Sequence, residues 1–123
     1  MNLESVFRNY DIRGEFGTQL TLEMTEKIAK AYAVFAKPKK VAVGMDMRSS
    51  SLEIKERVIK GLNDMGVDVV DIGMVPTEMM YFATWNYEMD GGIMVTASHM
   101  PSKYNGLKFL RSLEPGVFSP IGK

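Results

Sequence analysis

The chain has 123 residues, 46% of them hydrophobic, which is the size of one ordinary domain with enough apolar side chains to bury a core. Fifteen basic residues balance fifteen acidic ones, so nothing in the global charge points to a nucleic acid, an anionic membrane surface or an acidic tail. The absence of cysteine excludes disulfides, thiolate metal sites and cysteine nucleophiles.

The amino terminus MNLESVFRNYDIRG carries charges throughout and lacks the apolar stretch of a signal peptide, and no later apolar run is long enough to span a bilayer. A cytoplasmic protein is the expectation. From Thr21 to Ala36, Leu22, Ile28, Tyr32 and Phe35 fall near helical spacing, with Thr21 able to cap the start and Lys37-Pro38 closing the end. The basic cluster of Lys37, Lys39 and Lys40 reads as a solvated loop between a helix and a strand. KVAVGMD, residues 40–46, is a short β-branched run suited to a strand buried on both faces. Ser50 with Glu53 forms a capping-box pattern, Ile54, Val58, Leu62 and Met65 make one stripe, and Gly66 stands where a left-handed cap is wanted, which predicts a second helix. VDVVDIG, residues 67–73, predicts another strand, and Pro76-Thr77-Glu78 a turn into a third helix through Met80, Tyr81 and Trp85. GGIMVTA and NGLKFLR are two further strands. The eleven methionines read as gap-filling core residues.

Strands alternating with helices predict an α/β fold, a three-layer α/β/α domain covering residues 1–123 with a mixed, mostly parallel sheet. The last two strands stand too close for a helical crossover, so the last strand is expected to run antiparallel. Ligands of such sheets bind beyond the carboxyl ends of the strands. The loops there hold Asp46, Arg48, Ser49, Ser50, Thr77, Ser98, His99 and Lys103, with Lys108 on the strand that follows. Cations and hydroxyls together suit an anionic, oxygen-rich ligand. Ser98 and His99 are neighbours, and adjacent residues on extended backbone point to opposite sides, which argues against a Ser-His-Asp hydrolase. On local chemistry alone Ser98 is either part of a plain polar loop or a serine that carries phosphate, and His99 either a loop hydrogen-bonder or a catalyst.

Four collinear segments, FRNYDIRG (7–14), VGMDMRSSS (43–51), DIGMVPTEMMYFA (71–83) and TASHMPSKYNGLKF (96–109), resemble the amino-terminal domain of the α-D-phosphohexomutases, the phosphomannomutase and phosphoglucomutase superfamily. The resemblance implies that Ser98 is a phosphoserine that exchanges its phosphoryl group with a hexose phosphate through a hexose bisphosphate. It also implies a Mg2+ ion held by the Ser98 phosphate and by aspartates of a second domain absent from this chain. His99 and Lys108 match residues near the transferred group or its proton, while Tyr10 and Arg13 match active-site residues of the amino terminus. Lys103 and Arg48 are expected to contribute to substrate binding, although the Asp46-Arg48 motif also reads as a brace for the serine loop. The family's asparagine after Ser-His is Met100 here, a thioether in place of an amide.

Three further family motifs, an aspartate-rich metal loop, a G-E-x-S-G sugar loop and an R-x-S-x-T phosphate loop, are missing from the chain. The expectation is therefore a phosphoserine-bearing first domain, inactive by itself, whose remaining domains lie in cis or in a partner chain. Two rivals stand beside it. A phospho-aspartate receiver would use Asp46, Thr96 and Lys108, but lacks an acidic pair after its first strand. A non-catalytic sugar-phosphate binding or assembly domain would have kept the fold and lost the chemistry.

Overall fold

The apolar runs assemble into one seven-stranded sheet in a computed structural model that describes residues 7–8, 11–86, 89–98, 100–114 and 117–121. In chain order the elements are β1 (Phe7–Arg8), β2 (Asp11–Glu15), α1 (Leu22–Ala36), β3 (Lys40–Met45), α2 (Ser51–Asp64), β4 (Asp68–Met74), α3 (Thr77–Asn86), β5 (Gly91–Val95), β6 (Tyr104–Glu114) and β7 (Val117–Ile121). The strands lie in the order β1-β2-β6-β5-β3-β4, and β7 pairs with the far half of β6. β3 is parallel to β4 and to β5, and β6 runs antiparallel to β5, with Leu107 opposite Val95.

The sheet is thus mixed, and its parallel part is confined to β4-β3-β5. The antiparallel flank is wider than the sequence pattern announces, because β1, β2 and β7 carry no apolar alternation that would mark them. β2 reads DIRGE, and only Ile12 in it contributes an apolar side chain to the core.

Three layers follow from the strand order. The chain steps outward from β3 to β4 and then back across β3 to β5, so right-handed connections put α2 and α3 on opposite faces. Val41, Val43, Ile93, Val95, Leu107 and Phe109 point to the α1–α2 side, where they meet Ala29, Tyr32, Ile54, Val58 and Leu62. The intervening Ala42 and Met94 are buried on the other face, which α3 covers with Met80 and Ala83. Covering on both faces is why β5 is buried at every position, and why a continuous apolar run suits it.

Helix α1 starts as its sequence predicts, with the Thr21 hydroxyl accepting from the Met24 N–H at 3.2 Å. Its buried stripe differs from the expected one. Thr25, Ala29, Tyr32 and Ala33 face inward, Leu22 and Ile28 pack at the margin, and Phe35 is 59% exposed. Tyr32 is drawn in because its hydroxyl donates to the buried Leu110 carbonyl at 2.7 Å.

Helix α2 buries Ile54, Val58 and Leu62 as its spacing predicts, and Gly66 closes it with φ 80°. Met65, expected in that stripe, is half exposed. The expected capping box does not form, since the Ser50 hydroxyl makes no bond to the helix amides and instead accepts from Asn105 of β6. The methionines also divide. Met80, Met89 and Met94 are core residues, whereas Met47, Met65, Met74 and Met79 are exposed. Among the described residues no helix is long and apolar enough to cross a membrane.

Candidate active site

The strand order switches between the parallel neighbours β3 and β5: the segment after β3 leads through α2 to β4 on one side, and the segment after β5 leads to β6 on the other. A crevice opens at such a switch point because the two loops diverge from adjacent strand ends. Here it is an open cleft of about 900 Å3, within the range of small-molecule sites. Asp46, Arg48 and Ser49 line it from the β3–α2 loop, Thr96, Ser98, Met100 and Ser102 from the β5–β6 loop, and Thr77 and Glu78 from the first turn of α3. Met94 and Lys108, paired across β5 and β6, form part of the wall on the sheet side.

Ser98 stands out by its backbone. Its φ of 57° is left-handed, a region that non-glycine residues enter at a cost of about 1–2 kcal/mol. Two neighbours hold it there. The Ser98 N–H donates to the Thr96 hydroxyl at 3.0 Å, and the Ser98 carbonyl accepts from the Arg48 guanidinium at 2.6 Å. Its own hydroxyl has no hydrogen-bond partner among the described residues and borders the cleft.

The Arg48 guanidinium has the fork geometry that can reach several acceptors at once. Nη1 donates to the carbonyls of Pro101 at 2.8 Å and Tyr104 at 3.2 Å, and Nε donates to Asp46 at 3.0 Å. Its side chain is 10% exposed. Arg48, expected to contribute to substrate binding, lines the cleft while its guanidinium holds Asp46 and three carbonyls of the Ser98–Tyr104 segment. Burial pushes the Asp46 carboxyl up, but hydrogen bonds from the Ser51 and Thr96 hydroxyls and from the Arg48 N–H and guanidinium outweigh it and hold the pKa below its ordinary 3.8.

Lys103, the other residue expected to bind substrate, is not brought to the cleft. Its ammonium lies 3.3 Å from the Glu15 carboxylate and 5.7 Å from the Tyr104 ring centroid, and the side chain is 65% exposed. Lys108 does reach the cleft, half-buried and without an ion pair among the described residues. Arg13 sits on β2 opposite Gly106 of β6, on the sheet face that also carries Lys108. Gly106 is required there, because a Cβ at that position would overlap the Ile12 carbonyl oxygen on β2. Tyr10 and His99 lie outside the described residues.

A family model described as phosphoglucomutase/phosphomannomutase, alpha/beta/alpha domain I, matches residues 4–116. The chain belongs to the phosphoglucomutase/phosphomannomutase family. It is 49% identical over 111 residues to a phosphomannomutase of Salmonella montevideo, covering 90% of this chain and 24% of that protein. It is also 49% identical over 105 residues to a phosphomannomutase of Klebsiella pneumoniae, covering 85% of this chain and 67% of that one. A crystal structure of a phosphoglucomutase/phosphomannomutase family protein from Burkholderia thailandensis superposes with a TM-score of 0.80 at 38% identity, over 89% of this chain and 26% of that chain. The chain thus spans about a quarter of the length of most of these relatives.

Several parts of the site carry no signal that single-residue reading could use. Thr96 and Ser51 are ordinary strand-end and helix-start residues until the fold sets the Thr96 hydroxyl under the Ser98 N–H and turns the Ser51 hydroxyl onto Asp46. Strand β6 starts at Tyr104, one residue before the run NGLKFLR, and the turn that precedes it is closed by the Tyr104 N–H donating to the Pro101 carbonyl at 2.9 Å. Asn105 is fully buried there.

Proposed function

We propose that the chain is the phosphoserine-bearing first domain of a phosphohexomutase, in which Ser98 accepts a phosphoryl group from a hexose bisphosphate and returns it to a hexose monophosphate. The observation that carries this reading is the strained Ser98, held at φ 57° on the wall of the open cleft with a hydroxyl that has no hydrogen-bond partner among the described residues. In the transfer the Ser98 oxygen forms a bond to phosphorus while the bond from phosphorus to the sugar oxygen breaks, and the serine proton passes, directly or by relay, to the released sugar oxygen. Lys108 contributes positive charge beside the equatorial oxygens of the transferred group, and the N-terminal turn of α3 adds the positive end of its dipole. Arg48 does not touch the group; it keeps the loop from relaxing as charge builds up. His99, Tyr10 and Arg13 are further members of the same proposed site, for the proton and for the charge of the phosphoserine.

Magnesium belongs to the proposal only in part. Among the described residues no group of three or more His, Asp or Glu stands ready for a cation, and the Asp46 oxygens are bonded to Ser51 and Arg48. The donors of this chain do not fit a complete site, so the ion would depend on the Ser98 phosphate and on carboxylates from other domains, in cis or in a partner chain. For the same reason turnover by the 123 residues alone is expected to be negligible.

The test is phosphoryl uptake. The chain is mixed with glucose 1,6-bisphosphate, Mg2+ and the carboxy-terminal domains of a phosphomannomutase, and the peptide containing Ser98 is weighed by mass spectrometry. Phosphate on Ser98, resistant to acid and absent from a Ser98→Ala chain, supports the reading. An unmodified Ser98 under these conditions leaves a non-catalytic binding domain, and acid-labile phosphate on Asp46 would mean a receiver.

A further inference from the structure

The brace on Ser98 has a second end, buried between α2 and β6. Asp46 aims Arg48, and the Ser51 hydroxyl donates to Asp46 Oδ1 at 2.7 Å. Ser51 in turn accepts from Asn105 Nδ2 at 3.0 Å. The polarity of this chain of bonds follows from chemistry alone. The ionised Asp46 can only accept, so the single Ser51 hydrogen must go to it and Asn105 must donate. The Asn105 amide cannot be turned the other way round, because its oxygen accepts the Gly106 N–H at 2.9 Å. Asn105 is 0% exposed, and its second amide hydrogen goes to Ser50 at 2.8 Å, a branch with no onward bond to Asp46.

We propose that Asn105 is a positioning residue for Ser98, acting through Ser51, Asp46 and Arg48. Strand β6 also carries Lys108 on its opposite face, three residues along. One buried amide therefore locks the helix that sets the serine loop to the strand that presents the lysine. A polar network fully satisfied in the core has one favourable arrangement, and loosening any link frees the others. The geometric part of this inference stands on the hydrogen bonds; the rate part rests on the reading of Ser98 as a phosphoryl acceptor.

The branch at Ser50 supplies an internal control. Ser50→Ala and Ser51→Ala each remove one buried hydroxyl from the same amide, but only the second breaks the path to Ser98. Amide hydrogen exchange of Ser98 and Met100 is measured on the 123-residue chain against the core amides of β5, together with the rate of Ser98 phosphorylation in the mixture described above. Ser51→Ala and Asn105→Ala should raise exchange at the two loop amides by about tenfold and slow phosphorylation by a similar factor, while Ser50→Ala changes either by no more than about twofold. Ser51→Thr, which keeps the hydroxyl, should restore both. Equal effects of Ser50→Ala and Ser51→Ala on the loop overturn the proposal. If the exchange pattern holds but wild-type Ser98 takes up no phosphoryl group, the positioning path stands and the functional reading falls.

Discussion

If Arg48 holds Ser98 in its left-handed conformation, the two residues must be energetically coupled by the strain that Arg48 sustains. Arg48→Ala removes the donors to the Ser98 and Tyr104 carbonyls, the exposed bond to Pro101 and the pair with Asp46. Counting only the two less solvated carbonyl bonds, at about 1.5 kcal/mol each for a charged donor, gives a loss of about 3 kcal/mol. Relaxation of Ser98 to negative φ returns about 1–2 kcal/mol, so the net destabilisation should be near 1.5 kcal/mol. Ser98→Gly separates these contributions. In the wild type, glycine relieves about 1–2 kcal/mol of strain against about 0.5–1 kcal/mol of extra chain entropy, so the substitution should be neutral to stabilising. In the Arg48→Ala background the strain has already gone, and the same substitution should destabilise by about 0.5–1 kcal/mol. The coupling across the cycle should therefore lie near 1.5 kcal/mol, readable from urea unfolding of the four proteins at neutral pH. A Ser98→Gly effect that is the same in both backgrounds, within about 0.3 kcal/mol, would refute the claim that Arg48 imposes this conformation.

Acid should act on the same brace through Asp46. Its pKa is depressed on folding, so its contribution is present in full above the ordinary 3.8 and is lost as pH falls through the lower folded value. The stability advantage of wild type over Asp46→Asn should accordingly be constant from neutral pH down to about 5 and shrink below 3.8; a gap that persists unchanged below that range would be inconsistent with an ionised Asp46 in the native brace. Gly106→Ala should destabilise by about 3 kcal/mol or more, because β2 cannot retreat from the new methyl group without breaking its pairing with β6, and equilibrium unfolding reads this directly. Lys108→Ala should leave the unfolding free energy within about 0.5 kcal/mol of wild type, since Lys108 has no ion pair among the described residues. The same variant should slow Ser98 phosphorylation in the reconstituted mixture by about tenfold or more, and an unchanged rate would remove Lys108 from the site.

Much of the layered architecture was legible because it depends on short-range patterns. The stripe Ile54, Val58, Leu62 is fully buried, Thr21 caps α1, Gly66 ends α2, and GGIMV fills a strand covered on both faces. The antiparallel return of β6 followed from the length of its connection alone. Ser98, Arg48 and Lys108 could likewise be singled out by residue type and by their place after strands, and the fold brings all three to one cleft. Lys103, chosen by the same reasoning, is turned away to Glu15. A loop lysine has several staggered ways to point, and nothing local selects between a cleft and a surface carboxylate.

Periodicity, caps and turn residues act over a few positions, so the elements and the chemistry available at their ends are written in the chain. Where hydroxyls, amides and cations find their partners depends on packing between distant elements. Ser50 looked like a helix cap and became an acceptor for Asn105; Asn105, which opens the run NGLKFLR expected as a strand, became the buried amide that ties that strand to α2. Both outcomes have one cause. A polar group sealed in the core must pair with whatever the packed neighbours offer, across 55 residues of chain in this instance, and that demand outweighs the weaker local preference.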